Sequence, residues 1–160
     1  MKIGVVSDTH IPESAPDLPS ALLQGFEGVD LILHGGDILD CAVLDELETI
    51  APVHAVRGNM DHFPRSYGLP EKLVIEAEKF RIGLIHGHGA PDGLERRIIK
   101  EFDDVHCIVF GHAHRPFNEV INGILLFNPG TPTDRRFAPY RSFGILDVAD
   151  RITGRIIRLD

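Results

Sequence analysis

The sequence predicts an α/β fold in which two packed β-sheets carry helices on their outer faces. The first third of the chain alternates β-rich runs with helical patterns, and the remainder is nearly all β. Its 160 residues, 43% hydrophobic and 25% charged, suffice for one domain, 1–160, with a sizeable core. Residues 2–7 read as a buried strand, 18–26 as a short helix after a proline-rich stretch, and 29–34 as a second strand. Residues 38–50 place apolar side chains at helical spacing and predict a helix, followed by a third strand at 53–56. This βαβαβ order implies parallel pairing through right-handed crossovers. Residues 73–76 and 80–86 predict a hairpin, and 92–102 a helix opened by Asp92. Strands at 105–110, 117–121, 124–127, 142–148 and 155–159 complete the chain, with Asn122-Gly123 as a two-residue hairpin turn. The second half is therefore expected to be the more antiparallel, and 131–141 is its longest loop.

Charge and composition exclude several classes. With 16 Lys+Arg against 24 Asp+Glu, the net charge of −8 argues against an extended nucleic-acid footprint, so long nucleic acid is not an expected partner. No apolar run approaches the roughly 18 residues of a membrane span, and residues 1–7 run straight into a strand without the regions of a signal peptide. A cytoplasmic chain with no membrane partner is expected. Cys41 and Cys107 lack metal-type spacing and read as small buried hydrophobes in a reducing compartment. The nine histidines are the compositional anomaly, and most of them cluster.

Asp8-Thr9-His10 follows the first strand, Gly35-Gly36-Asp37 the second, and Gly58-Asn59-Met60-Asp61 the third. Each is common as a turn by itself. Three consecutive parallel strands ending in candidate oxygen or nitrogen ligands are different, because their C-terminal ends are neighbours and feed one crevice. His86-Gly87-His88 and Gly111-His112-Ala113-His114 then follow two further apolar runs, so two strand exits each carry an H-x-H pattern. Imidazole, carboxylate and carboxamide donors suit borderline divalent ions such as Mn, Fe, Co, Ni or Zn.

The ordered set D-x-H, G-D, G-N, H-G-H and G-H-x-H resembles the calcineurin-like metallophosphoesterase superfamily, over nearly the whole chain. The small size is similar to its compact single-domain bacterial and archaeal phosphodiesterases. The resemblance implies a four-layer αββα sandwich of two mixed β-sheets flanked by helices. It also implies two divalent metal ions, manganese first among the candidates above. By the same resemblance Asp8, His10 and His114 hold the first ion, Asn59, His86 and His112 the second, and Asp37 bridges them. Asp37 and Asn59 join the catalytic set with His88, whose family position lies near the metals and contacts phosphate or the leaving group; a surface role is the alternative. Two such ions about 3.5–4 Å apart would supply a hydroxide nucleophile for in-line attack on phosphorus by lowering the pKa of a bound water. The expected activity is hydrolysis of small phosphodiesters. A phosphomonoesterase is the alternative enzyme, and a non-catalytic protein-interaction scaffold, as in the retromer subunit related to this family, is the alternative class. A homo-oligomer is left open.

Flanking residues take lesser roles. His34 reads as packing or as support behind a ligand, Asp61 as orienting a ligand or its own loop, His54 and His106 as structural, and His62 as a solvated loop residue. Asn128-Pro129-Gly130-Thr131 resembles an Asn-Pro-Gly-Ser segment of the compact relatives whose turn approaches the site. Arg135 and Arg136 read as solvated charges, and Arg141 as a planar donor for phosphate. Met60 stands where many larger family members have a proton-donating histidine; its thioether cannot donate, which leaves the general acid unassigned.

Overall fold

A computed structural model describes all residues, 1–160. Its first part runs β1 (Lys2–Val6), α1 (Ser20–Gly25), β2 (Leu31–His34), α2 (Cys41–Glu48) and β3 (Val53–Ala55). Next come β4 (Lys72–Ala77), β5 (Phe80–Ile85), α3 (Leu94–Ile98), β6 (Cys107–Phe110), β7 (Phe117–Ile121) and β8 (Ile124–Asn128), then β9 (Ser142–Val148) and β10 (Ile152–Arg158). The strands form two five-stranded mixed sheets, ordered β10-β9-β1-β2-β3 and β4-β5-β6-β8-β7.

The two-residue period of the strands sorts their side chains into layers. Ile3 and Val5 of β1, Leu31 and Leu33 of β2, Ile82 and Leu84 of β5 and Cys107 and Val109 of β6 meet between the sheets in one apolar cluster. The alternate residues Val6 and Ile32 face outward, where Leu22 of α1 and Val43, Leu44 and Leu47 of α2 cover them. On the far side Ile108, Phe110 and Leu126 pack under Leu94 and Ile98 of α3. Helix, sheet, sheet and helix thus make four layers, as expected. No helix is long and apolar enough to cross a membrane.

The second half is the more antiparallel, as expected, but its own sheet has a parallel centre. β5, β6 and β8 are mutually parallel, and only the edges β4 and β7 run antiparallel. The 122–123 hairpin places β7 outside β8, so β8 is free to run alongside β6. β9 and β10 leave this sheet altogether and extend the first one, antiparallel to β1. Both sheets therefore have a parallel centre whose C-terminal exits carry the motif residues.

Helix ends also differ. α2 starts at Cys41, behind an Asp40 side chain that accepts from the Ala42 N–H, because Leu39 at φ 77° is left-handed and no right-handed helix runs through it. α3 is entered through Gly93 at φ 75° and tightens into a 3₁₀ turn at Ile99–Glu101. Asp92 does not cap it; its carboxylate accepts from Arg115 instead. A 3₁₀ turn at Pro64–Gly68 was not signalled by periodicity. Cys107 is buried between the sheets, but Cys41 is exposed at the start of α2, contrary to its expected burial.

Candidate metal centre

Asp8 leaves β1 fully buried, with its Oδ2 accepting from Ser7 Oγ at 2.7 Å and from the His112 N–H at 3.1 Å. Its Oδ1 has no hydrogen-bond partner and faces His114 Nε2 at 3.2 Å, His10 Nε2 at 3.8 Å and His86 Nε2 at 3.9 Å. Asp37 leaves β2 in the same manner. Its Oδ1 accepts from the Met60 N–H at 2.8 Å, and its Oδ2 lies 3.3 Å from both His10 Nε2 and His86 Nε2. Asn59 Oδ1 is 3.0 Å from His86 Nε2, and the other nitrogen of that ring, Nδ1, donates to Gly35 O at 2.7 Å. His112 sets its Nε2 against Gly89 O at 2.7 Å, with its ring centroid 5.2 Å from that of His86. All the residues expected to hold metal therefore converge on one place, from the exits of β1, β2, β3, β5 and β6.

The backbone bends hard to achieve this. Asp8, His10, Asp37, His112 and His114 all have positive φ, between 44° and 69°, a region non-glycine residues rarely adopt and which costs on the order of 1–3 kcal/mol each. The Asp61 carboxylate holds the bend at Asp37 in place. It accepts from the backbone N–H groups of Asp37, Ile38, Leu39 and Gly58, at 2.7 to 3.0 Å. A Cβ on Gly58 would overlap the Asp37 carboxylate, so this loop admits only glycine there. His34, also fully buried, works from behind: its Nδ1 accepts from the Gly36 N–H at 3.1 Å, which leaves Nε2–H for Thr9 Oγ1 at 3.2 Å. Burial pushes its pKa down to about 4, consistent with that neutral tautomer.

Burial disfavours charge on the inner carboxylates too, yet the opposite partners outweigh it. Burial pushes Asp8 up, but His10, His114 and His86 hold it far below the ordinary carboxylate range, and His10 and His86 do the same for Asp37. In return, and against the pull of burial, Asp37 and Asp8 raise His10 to about 10 and His86 to about 9. Two carboxylates, one of them with an oxygen lacking any hydrogen-bond partner, thus draw positive charge into a buried cluster. Candidate ligand atoms of Asp8, His10 and His114, and of Asp8, Asp37 and His86, lie within 4.8 Å of one another. This donor set fits divalent cations.

Residues 1–151 match the family model of the calcineurin-like phosphoesterase superfamily domain. The chain belongs to that family. A probable metallophosphoesterase of Methanothermobacter thermautotrophicus is 40% identical over 164 residues, covering 99% of this chain and 92% of the relative. Among solved structures, one described as a novel archaeal phosphodiesterase superposes with a TM-score of 0.80 at 25% identity, over 99% of this chain and 100% of its own. Wild-type Vps29 of Entamoeba histolytica, complexed with Zn²⁺, superposes with a TM-score of 0.78 at 25% identity over the whole of both chains. As a calcineurin-like phosphoesterase the chain is a phosphoric ester hydrolase with a candidate metal site.

The remaining residues of this phosphoesterase separate cleanly. His88 is not brought into the cluster; its side chain is 63% exposed, with Nε2 3.7 Å from Glu101. It lines a cleft of about 670 Å³ together with Arg57, Asn59, Lys72, His86 and Glu101. His62 and His54 are exposed, and His106 accepts from the Arg81 N–H, in keeping with their structural reading. Of the arginines of the 131–141 loop, Arg135 and Arg136 stay largely solvated as expected, paired with Asp160 and Asp134, whereas Arg141 pairs with Asp160 and so points away from phosphate duty, against expectation. The sequence reading missed the threonine clamp. Thr131 Oγ1 donates to Asp8 O at 2.8 Å and Thr133 Oγ1 to Thr9 O at 2.7 Å, while Asn128 Nδ2 donates to Gly111 O at 2.9 Å. Only the Asn-Pro-Gly-Thr likeness pointed there, without the partners.

Proposed function

We propose that this chain is a binuclear metal-dependent phosphodiesterase of the cytoplasm, with residues 1–160 as one domain and small phosphodiesters as substrates. One observation carries the reading: Asp37 Oδ2 stands at the same 3.3 Å from His10 and from His86, the position of a shared ligand between two half-sites. Asp8, His10 and His114 would hold one ion, manganese first among the candidates, and Asn59, His86 and His112 the other. When bound, the pair supplies Lewis-acid activation of a water nucleophile and neutralises charge on the phosphoryl oxygens, which lets a chain of charge −8 take an anion.

The chain's own residues do the rest. The Asp61 cradle and the Thr131 and Thr133 clamps fix the strand exits, so the ligands need little rearrangement on loading. The open cleft beside Asn59 and His86 is of the size that small ligands occupy, and it leaves room for the second ester arm of a diester. We assign His88, on its wall, to carry a proton at Nε2 to or from the leaving-group oxygen. The test is prolonged chelation followed by addition of Mn²⁺, with elemental analysis and a panel of mono- and diesters. Chelation abolishes hydrolysis, Mn²⁺ restores it, and diesters lead the panel; full activity in thoroughly stripped protein overturns the proposal. The likeness to Vps29 over the whole chain supports a second reading, a protein-interaction scaffold. Zinc or manganese binding without turnover on any ester would favour it.

A further inference from the structure

The candidate ligand histidines are not all oriented alike. His86 gives Nδ1 to the carbonyl of Gly35, and His112 sets Nε2 against the carbonyl of Gly89. His114, 8% exposed, has a buried Nδ1 without a hydrogen-bond partner, and the acceptor facing it is a carboxylate: Asp134 Oδ2, at 3.5 Å. Asp134 is 3% exposed and sits in the loop tied to the β1 exit, since its own N–H donates to the same Thr131 Oγ1 that clamps Asp8 O. Arg136 grips it from the solvent side, donating its N–H and Nε to Oδ1 and its Nη2 to Oδ2, and holds the carboxyl below the ordinary range.

We infer that Asp134 is a positioning residue that takes the Nδ1 proton of His114 in a hydrogen bond and so commits His114 Nε2, which faces Asp8 Oδ1, to the first metal ion. The inference rests on the metal reading above. A carboxylate does two things there that a carbonyl does not. It fixes the tautomer against a full charge, and it makes the ring more basic toward a cation. Arg136 aims the Asp134 carboxylate from the solvent side. An amide at position 134 removes the charge, and with its oxygen on Arg136 it turns an N–H toward Nδ1 and favours the wrong tautomer.

The experiment titrates the chelator-stripped full chain with zinc by calorimetry, and records imidazole ¹⁵N spectra of the zinc-loaded protein. In the wild type two ions bind, and His114 carries its proton on Nδ1 with zinc on Nε2. Asp134→Asn weakens one of the two ions about 10- to 100-fold and leaves the other unchanged. Arg136→Ala keeps the carboxylate, and retains both affinities within a few-fold. The inference is overturned if zinc sits on His114 Nδ1 in the wild type, a result independent of how any variant folds. It is also overturned if Asp134→Asn binds both ions like wild type, or if Arg136→Ala loses as much as Asp134→Asn. Wild-type protein that binds no zinc overturns the metal reading itself, and this inference with it.

Discussion

Asp37 Oδ2 makes equal contacts with His10 and His86, so neutralising it weakens both halves of the centre at once. Asp37→Asn should lower metal content from two ions to one or fewer, and turnover by at least about 100-fold, as measured by elemental analysis and diester hydrolysis on the same preparation. His88→Ala, a change on the cleft wall, should leave the metal content intact and slow poor leaving groups selectively. Met60, 41% exposed beside Asn59, offers no proton. His88 then carries the leaving-group proton alone, so His88→Ala should widen the lead of aryl over alkyl diesters, and Met60→His in that background should narrow it by up to about 10²-fold. A plot of rate against leaving-group pKa for wild type and variants checks this. Every candidate ligand was legible because each follows an apolar strand in a short motif. Of the residues that hold them, Asp61 and His34 lie in or beside those motifs and were legible too, but the partners of the others were not. Ser7, Thr131 and Thr133 act through backbone carbonyls and single oxygens, and Asp134 lies 20 positions beyond the histidine it faces, so no spacing rule links them.

Loops at strand exits depend on Asp61 as strands depend on their ladders. With four backbone N–H groups converging on one buried carboxylate, Asp61→Ala leaves donors unsatisfied and should destabilise the metal-free protein by about 3 kcal/mol or more, as read from urea midpoints at unchanged slope. The same carboxylate pins the turn that makes α2 begin later than its apolar periodicity suggests: Ile38 looks helical in sequence, but Leu39 beside it is held at φ 77°, which a right-handed helix does not admit. Local propensity yields here to a contact 23 residues away in the chain. Strand existence was legible from alternation, whereas strand direction in the second sheet was not, because β8 reaches its parallel partner β6 only after a hairpin has placed β7 outside it.

At the scale of the molecule, the buried charges tie stability to pH. His10 and His86 are raised from 6.5 to about 10 and about 9, so their contribution is complete below pH 6.5 and is lost as pH rises through 9 to 10. Asp8 and Asp37 are lowered, so theirs is complete above the ordinary carboxylate value of 3.8 and is lost as pH falls below it. His34, kept neutral by burial with its pKa lowered to about 4, gives up stability as pH falls from 6.5 toward 4, so metal-free protein should show its highest Tm near pH 6.5 and decline on both sides, including the alkaline one. Bound ions replace the protons of His10 and His86, so the metal-loaded Tm should not decline on the alkaline side; melting curves with and without chelator across pH check both. The site also spans a boundary. Asp8, His10, Asp37 and Asn59 come from the exits of the first sheet, and His86, His112 and His114 from those of the second. An occupied centre is thus a rivet through the sandwich, and the sheets cannot part along their shared apolar layer while it is in place. Release would then have to precede any parting of the sheets, so amide exchange in the inner strands should slow with metal even though no ligand lies among them.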